Sequence, residues 1–387
     1  MTNKILLNFS RLFSFMSIVF LLFAPFLIYC LESFMPVGLL KYYIEMPIPM
    51  RNYFLIVAPA VIICNFFLKR IISKNRTRFS QKEISWKKIL LFSIVGCFFP
   101  GHIGWLSGKL LFISGYYLIS SKYRRLLFLY LLLYLCFGFL FNGILGEYVI
   151  WIILVILSDI NFNLKLSRLK TFYILLGLCF LIFAFQVVKV NYRQLYWNDQ
   201  GVQVKYPKLL ELPLLFSEPE IGFPLITYIS VVRLNHGQFI AKTIENNNMA
   251  MRSEVPNFVS SIFVSFIPRF FWENKPKAGG VENVEKYLGD SELGYSGYSY
   301  NVGPLGESIG DFGYFGIFLY PFFISVIYLI AIYFSTRFIA ELSPFFFYNI
   351  VMVEHDFLGA FNSLTTSFVY LMGIFYLLKI FYVRDIR

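Results

Sequence analysis

Histidine and carboxylates are in short supply in this chain, which has 3 His and 22 Asp plus Glu in 387 residues. Charged residues of every kind make up 14%, against 58% hydrophobic side chains, and the mean hydropathy is +0.66. Soluble globular domains carry a charged share of about a quarter, so that class is excluded. Cysteine is also sparse. Cys30, Cys64, Cys97, Cys136 and Cys179 all lie in or beside apolar runs, with no pair in the polar part of the chain. Neither a disulfide framework nor a metal cluster is expected, and the thiols read as small buried hydrophobes. There is no Walker loop, no His-Glu-x-x-His, no nucleophile elbow and no strand-associated GxGxxG. Asp311-Phe-Gly spells the kinase metal-binding triplet without any other kinase element. No internal repeat, low-complexity linker or second soluble domain is visible.

The chain does have long apolar runs, which recur and approach the length of about 20 residues that a helix needs to cross a bilayer. Spans are expected near Leu12 to Leu31, Tyr53 to Leu68, Ile89 to Pro100, Ile103 to Ser120, Leu126 to Phe141, Ile144 to Leu157, Thr171 to Val188, Phe312 to Phe334, Phe338 to Val353 and Leu364 to Val383. This is an all-α polytopic integral membrane protein with about ten spans, and the short alternating segments of a transmembrane barrel do not fit. Lys4 and Arg11 precede the first run as in a signal peptide, but no small-x-small cleavage site follows, so that run is expected to stay as a span.

Charge supplies the topology. With both termini cytoplasmic, about 20 of the 34 basic residues fall on the inside, including the run from Lys69 to Lys88, against about 4 of the 22 acids. The net charge of +12 is then a positive-inside signal, with basic loops suited to anionic lipid headgroups rather than nucleic acid. Three segments follow: a membrane bundle over 1–188, a large late outer loop over 189–311, and the last spans over 312–387.

The chemistry is expected in that loop. Asn257, Ser261 and Ser265 recur every four residues among Phe and Ile, which paints one polar stripe on a greasy helix and predicts a helix lying flat on the bilayer. Pro268 ends it and presents Arg269. Arginine offers a planar fork for phosphate that keeps its charge where water is scarce, and tyrosine gives sugars a flat face with a hydroxyl at the rim. Together they suggest a lipid-diphosphate-linked sugar as substrate.

Ile267-Pro-Arg269-Phe-Phe-Trp-Glu-Asn-Lys-Pro-Lys277 and Gly303-Pro-Leu-Gly-Glu-Ser-Ile-Gly-Asp-Phe-Gly-Tyr-Phe-Gly316, with a Tyr-Ser turn between them, resemble the Wzy-type polymerases that join O-antigen repeat units. The likeness lies in the architecture of the whole chain and in the wording of these stretches. Arg269 and Gly280 also satisfy the Arg-x10-Gly pattern of some members, with no second copy from Arg193, Arg233 or Arg252. The resemblance implies a GT-C-like glycosyltransferase of the bacterial inner membrane that works on undecaprenyl-diphosphate-linked oligosaccharide at the periplasmic face, beside a chain-length regulator.

In that reaction a growing glycan leaves its lipid diphosphate under attack by a hydroxyl of the next unit. Arg193, Arg233 and Arg269, seconded by Lys275 and Lys277, are placed on the diphosphate. His236 is placed as base, with Glu307 and Asp311 behind it, and Tyr295, Tyr298 and Tyr300 on sugar. No metal or other cofactor is required, since guanidinium groups can take a divalent ion's part. Plainer readings compete at each position: interfacial anchoring for the arginines, a structural histidine, an aromatic belt of tyrosines, and caps on the next helix for Glu307 and Asp311. His102 and the cluster Glu354-His355-Asp356 read as outer turns. An O-antigen ligase would use the same donor. A flippase of lipid-linked sugars would carry short loops and polar spans, the opposite of this pattern.

Overall fold

A computed structural model of the chain describes residues 2–31, 46–75, 234–246, 256–267, 271–276, 281–289, 301–337 and 356–384, with Leu91, Ser93 to Val95, Ser107 and Phe347. Among the described residues the structure is helical and holds no strand. The helices are α1 (Thr2–Ile18), α2 (Ala24–Leu31), α3 (Met50–Asn75), α4 (Gly237–Asn246), α5 (Asn257–Phe266), α6 (Val281–Leu288), α7 (Gly303–Phe312), α8 (Gly316–Arg337) and α9 (Phe357–Arg384). The chain divides into two compact units, one of Met1–Tyr29, Met46–Ser114 and Asn235–Arg387, the other of Cys30–Glu45 and Gly115–Leu234. The first draws on all three of the expected segments and holds the elements that matter below.

Among the described residues three stretches are long and apolar enough to cross a membrane: Phe9–Cys30, Met50–Asn75 and Gly303–Phe334. They coincide with the spans expected from Leu12, Tyr53 and Phe312, and α9 contains the one expected from Leu364. The other six expected spans lie outside the described residues except at Leu91, Ser93 to Val95, Ser107 and Phe347. The apolar helices suggest a membrane-embedded protein, and their side chains agree. In α3, Tyr53, Val57, Ala60, Val61, Cys64 and Leu68 are buried at helical spacing, while Leu55, Ile62, Phe66 and Phe67 on the opposite side are exposed. A helix apolar all round is one whose outer face meets hydrocarbon.

α3 packs along α8, whose Tyr320, Ile324, Ile327, Tyr328 and Ala331 form the matching buried stripe. α1 joins them through Phe13, edge-on to Tyr328 at 5.8 Å. Between α1 and α2 the chain widens into a π-helical turn, Val19–Phe23. Pro25 has no N–H to give the Leu21 carbonyl four residues earlier. The hydroxyl of Tyr53 on α3 donates to that carbonyl instead, at 2.8 Å.

The corner between α7 and α8 positions the site. Gly303 opens α7 at φ 77° and Pro304 follows, a residue whose fixed φ suits the first turn. Gly313 closes α7 at φ 62°, a left-handed conformation that side chains resist, and a short 3-10 turn, Gly313–Phe315, leads into α8. The expected boundary between loop and last spans, at 311 and 312, therefore falls inside a helix.

Candidate functional site

α7 carries two carboxylates four residues apart, Glu307 and Asp311, on one face. Each reaches across to the N-terminus of another helix. Asp311 Oδ2 accepts the backbone N–H of Asn257, the first residue of α5, at 2.6 Å. Glu307 Oε2 accepts the backbone N–H of Phe357, the first residue of α9, at 2.8 Å. First-turn N–H groups have no partner inside their own helix, and a carboxylate there also complements the helix dipole. The expectation that these acids cap the following helix is corrected in detail: the Gly303-Pro304 start places both inside α7, and the helices they cap are α5 and α9.

Asparagines close the gaps. Glu307 Oε1 accepts from Asn257 Nδ2 at 3.1 Å and from Asn283 Nδ2 at 3.2 Å. Asn283, on α6, also donates to Asp356 Oδ2 at 3.2 Å and accepts from Asn257 Nδ2 at 3.3 Å. Asp356 in turn caps its own helix, taking the Gly359 N–H at 2.8 Å. Lys286 Nζ donates to Asn257 Oδ1 at 2.7 Å and to Asp311 Oδ1 at 3.1 Å, and Tyr287 Oη donates to Asp311 Oδ1 at 2.9 Å. Four helices meet in this knot.

Its interior is dry. Glu307 and Asp356 are each 1% exposed, and the Asp311 side chain is 1% exposed against 21% for Lys286. Burial chiefly, and then the nearby carboxylates of Glu307 and Asp311, push the Tyr287 phenol far above its ordinary range. It therefore stays a donor at any pH a cell meets. Gly310 makes its approach possible, because a Cβ there would collide with the Tyr287 ring. Removing one partner from a buried charge pair of this kind costs about 3–5 kcal/mol.

His236 stands apart from the knot. It is 6% exposed, lies edge-on to Phe239 at 5.6 Å, and its Nε2 is 3.0 Å from the Val302 carbonyl. A carbonyl only accepts, so Nε2 carries the proton and the lone pair is on Nδ1. Burial lowers the imidazole pKa to about 4, although the bond to Val302 raises it. The ring is neutral at pH 7 and weakly basic.

Lys275 is buried at 8% exposure. Its Nζ donates to the Ile267 carbonyl at 2.9 Å and to Asn362 Oδ1 on α9 at 3.1 Å. One turn along α9, the hydroxyl of Thr365 donates to the Ser265 carbonyl at 3.3 Å. Both ends of the segment between Ser265 and Lys275 are thus fastened to one face of α9. Arg193, Arg233, Arg269, Lys277, Tyr295, Tyr298 and Tyr300 lie outside the described residues.

Of the expected site residues, Glu307 and Asp311 come together and His236 does not join them. Asn283, Lys286, Tyr287, Asp356 and Asn362 complete the arrangement without having been singled out for it. Asn283, Lys286 and Tyr287 fall at helical spacing in a polar stretch, and Asp356 directly precedes an apolar run, a cap signal. Among the described residues no group of three or more His, Cys, Asp or Glu is disposed to hold a metal ion. Comparison with protein-family models, curated proteins and solved structures returns no match for this chain.

Proposed function

We propose that this chain is an O-antigen polymerase of the bacterial inner membrane, joining undecaprenyl-diphosphate-linked oligosaccharide units at the periplasmic face, with both termini in the cytoplasm. One observation carries the reading: the two stretches that resemble such polymerases converge on the first turns of α9. The first arrives through Lys275, bonded to Asn362, and the second through Glu307, bonded to the Phe357 N–H. Two separate stretches anchored on one helix support a reading in which both serve one substrate. A dry carboxylate knot at a bilayer surface, costly to assemble, gives them a rigid support.

In the proposed reaction a hydroxyl of the incoming unit attacks the anomeric carbon of the growing glycan. The bond from that carbon to the diphosphate oxygen breaks, the lipid diphosphate leaves with the electron pair, and the hydroxyl proton passes to a base. Arg269, with Arg193, Arg233 and Lys277, takes the charge that builds on the diphosphate. Lys275, already spent on Ile267 and Asn362, acts by holding the segment that contains Arg269. Tyr295, Tyr298 and Tyr300 receive sugar. His236, with its pKa near 4, is poorly matched to the base role at neutral pH. Glu307 and Asp311, carboxylates of the knot, stand behind it in that role.

The direct test is biochemical. The purified protein in phospholipid vesicles, given undecaprenyl-diphosphate-linked repeat units alone, should yield a ladder of longer glycans and release undecaprenyl diphosphate. Arg269→Ala should abolish the ladder while the protein still accumulates in the membrane. Failure of the unsubstituted protein to extend the units, with transfer to a lipopolysaccharide core once that acceptor is added, would point to a ligase.

A further inference from the structure

α5 is the reverse of a helix that floats on a bilayer. Its small polar side chains, Ser261 and Ser265, are buried with Phe258, while Val259, Phe263 and Phe266 are 40%, 68% and 67% exposed. The buried face packs on α9. There Phe258 stacks on Phe323 of α8 at 3.9 Å and meets Phe357 and Phe361 of α9 edge-on. The exposed row does not stop at the helix end, because Ile267, Phe271 and Trp272 are exposed as well. In water such an arrangement is unfavourable, since every outward aromatic is hydrated. In lipid it is the expected one, because helices in a bilayer put small residues at their contacts and apolar side chains outward.

We infer that α5 is sunk in the hydrocarbon of the bilayer, with phospholipid acyl chains against Val259, Phe263 and Phe266. The occupant follows from what adjoins the face. α5 packs along α9 and, through Phe258 on Phe323, against α8, a stretch long and apolar enough to cross a membrane whose Phe318 and Phe322 are 61% and 58% exposed, so its outward row belongs to an element held against membrane-spanning neighbours. The helix has 10 residues, none of them charged, and spans about 15 Å, half of a hydrocarbon core. It reaches only partway into the membrane, and its helical run ends where Ile267 becomes extended. This goes beyond the polymerase reading, as it concerns the depth of the segment rather than the reaction.

The experiment places a photoreactive aromatic at the exposed sites of the full chain in native membranes. Phe263→p-benzoylphenylalanine and Phe266→p-benzoylphenylalanine, irradiated and analysed by mass, should each gain one phospholipid, as should the reference Phe318→p-benzoylphenylalanine on α8. A cross-link to a second copy of this chain or to another protein would overturn the inference. So would the absence of any lipid adduct at both α5 positions while the α8 position gives one. Because both sites are exposed and the replacement is aromatic, failure to fold is readily distinguished by loss of the protein from the membrane.

Discussion

Asp311 and Asn257 are 54 residues apart and joined at 2.6 Å, carboxylate to backbone N–H. One turn earlier Glu307 repeats the arrangement with Phe357. α7 is therefore a bracket whose two acids hold the starts of α5 and α9, and the behaviour of both helices depends on it.

The amide of a glutamine cannot replace Glu307. Three N–H donors, from Asn257, Asn283 and Phe357, converge on its two oxygens, and either orientation of an amide sets an NH2 against at least one of them. Glu307→Gln should cost about 3 kcal/mol and lower the midpoint of thermal unfolding in detergent.

Lys275 and Asn362 should behave as one unit. Lys275→Met and Asn362→Leu are expected to slow chain extension to a similar degree, with the double variant no worse than either single one. A lysine that gripped the diphosphate itself would give a different pattern. Lys275→Met alone would then raise KM for the lipid-linked unit, and Asn362→Leu would be silent.

His236 makes stability depend on pH. The unfolded chain takes a proton on this residue as pH falls through its ordinary value of 6.5, and the folded protein only near 4. The unfolded state thus binds more protons in that window, so stability is unaffected by this group above about pH 7 and declines between 6.5 and 4, by about 3 kcal/mol in all. His236→Gln, which keeps a donor for Val302, should remove this share of the decline in unfolding measured across that range.

Tyr53 compensates for Pro25. Tyr53→Phe leaves the buried Leu21 carbonyl without its donor, at a cost of about 1–3 kcal/mol. In a Pro25→Ala background the amide of residue 25 can serve that carbonyl. The same Tyr53→Phe change should then cost markedly less, as thermal unfolding of the four proteins would show.

What the sequence discloses follows the physics of each element. The apolar runs of α3 and α8 announce themselves, because crossing a bilayer demands length and composition that little else explains. The period of Asn257, Ser261 and Ser265 likewise announces α5 as a helix, but not which side faces the protein. The ordinary rule, polar side outward, presupposes water, and α5 turns its serines toward α9. Glu307 and Asp311 are legible as acids near a helix start. That they cap α5 and α9 depends on contacts with partners about 50 residues distant, which no local pattern contains. His236 draws notice as one of 3 histidines, and only burial against Val302 reveals how weak a base it is.

The measurement closest to the central claim is the surface glycan of a strain from which this gene alone has been deleted. The account predicts lipopolysaccharide bearing single repeat units, since units are still made, moved outward and attached but not joined. A glycan ladder of ordinary length in that strain would contradict it.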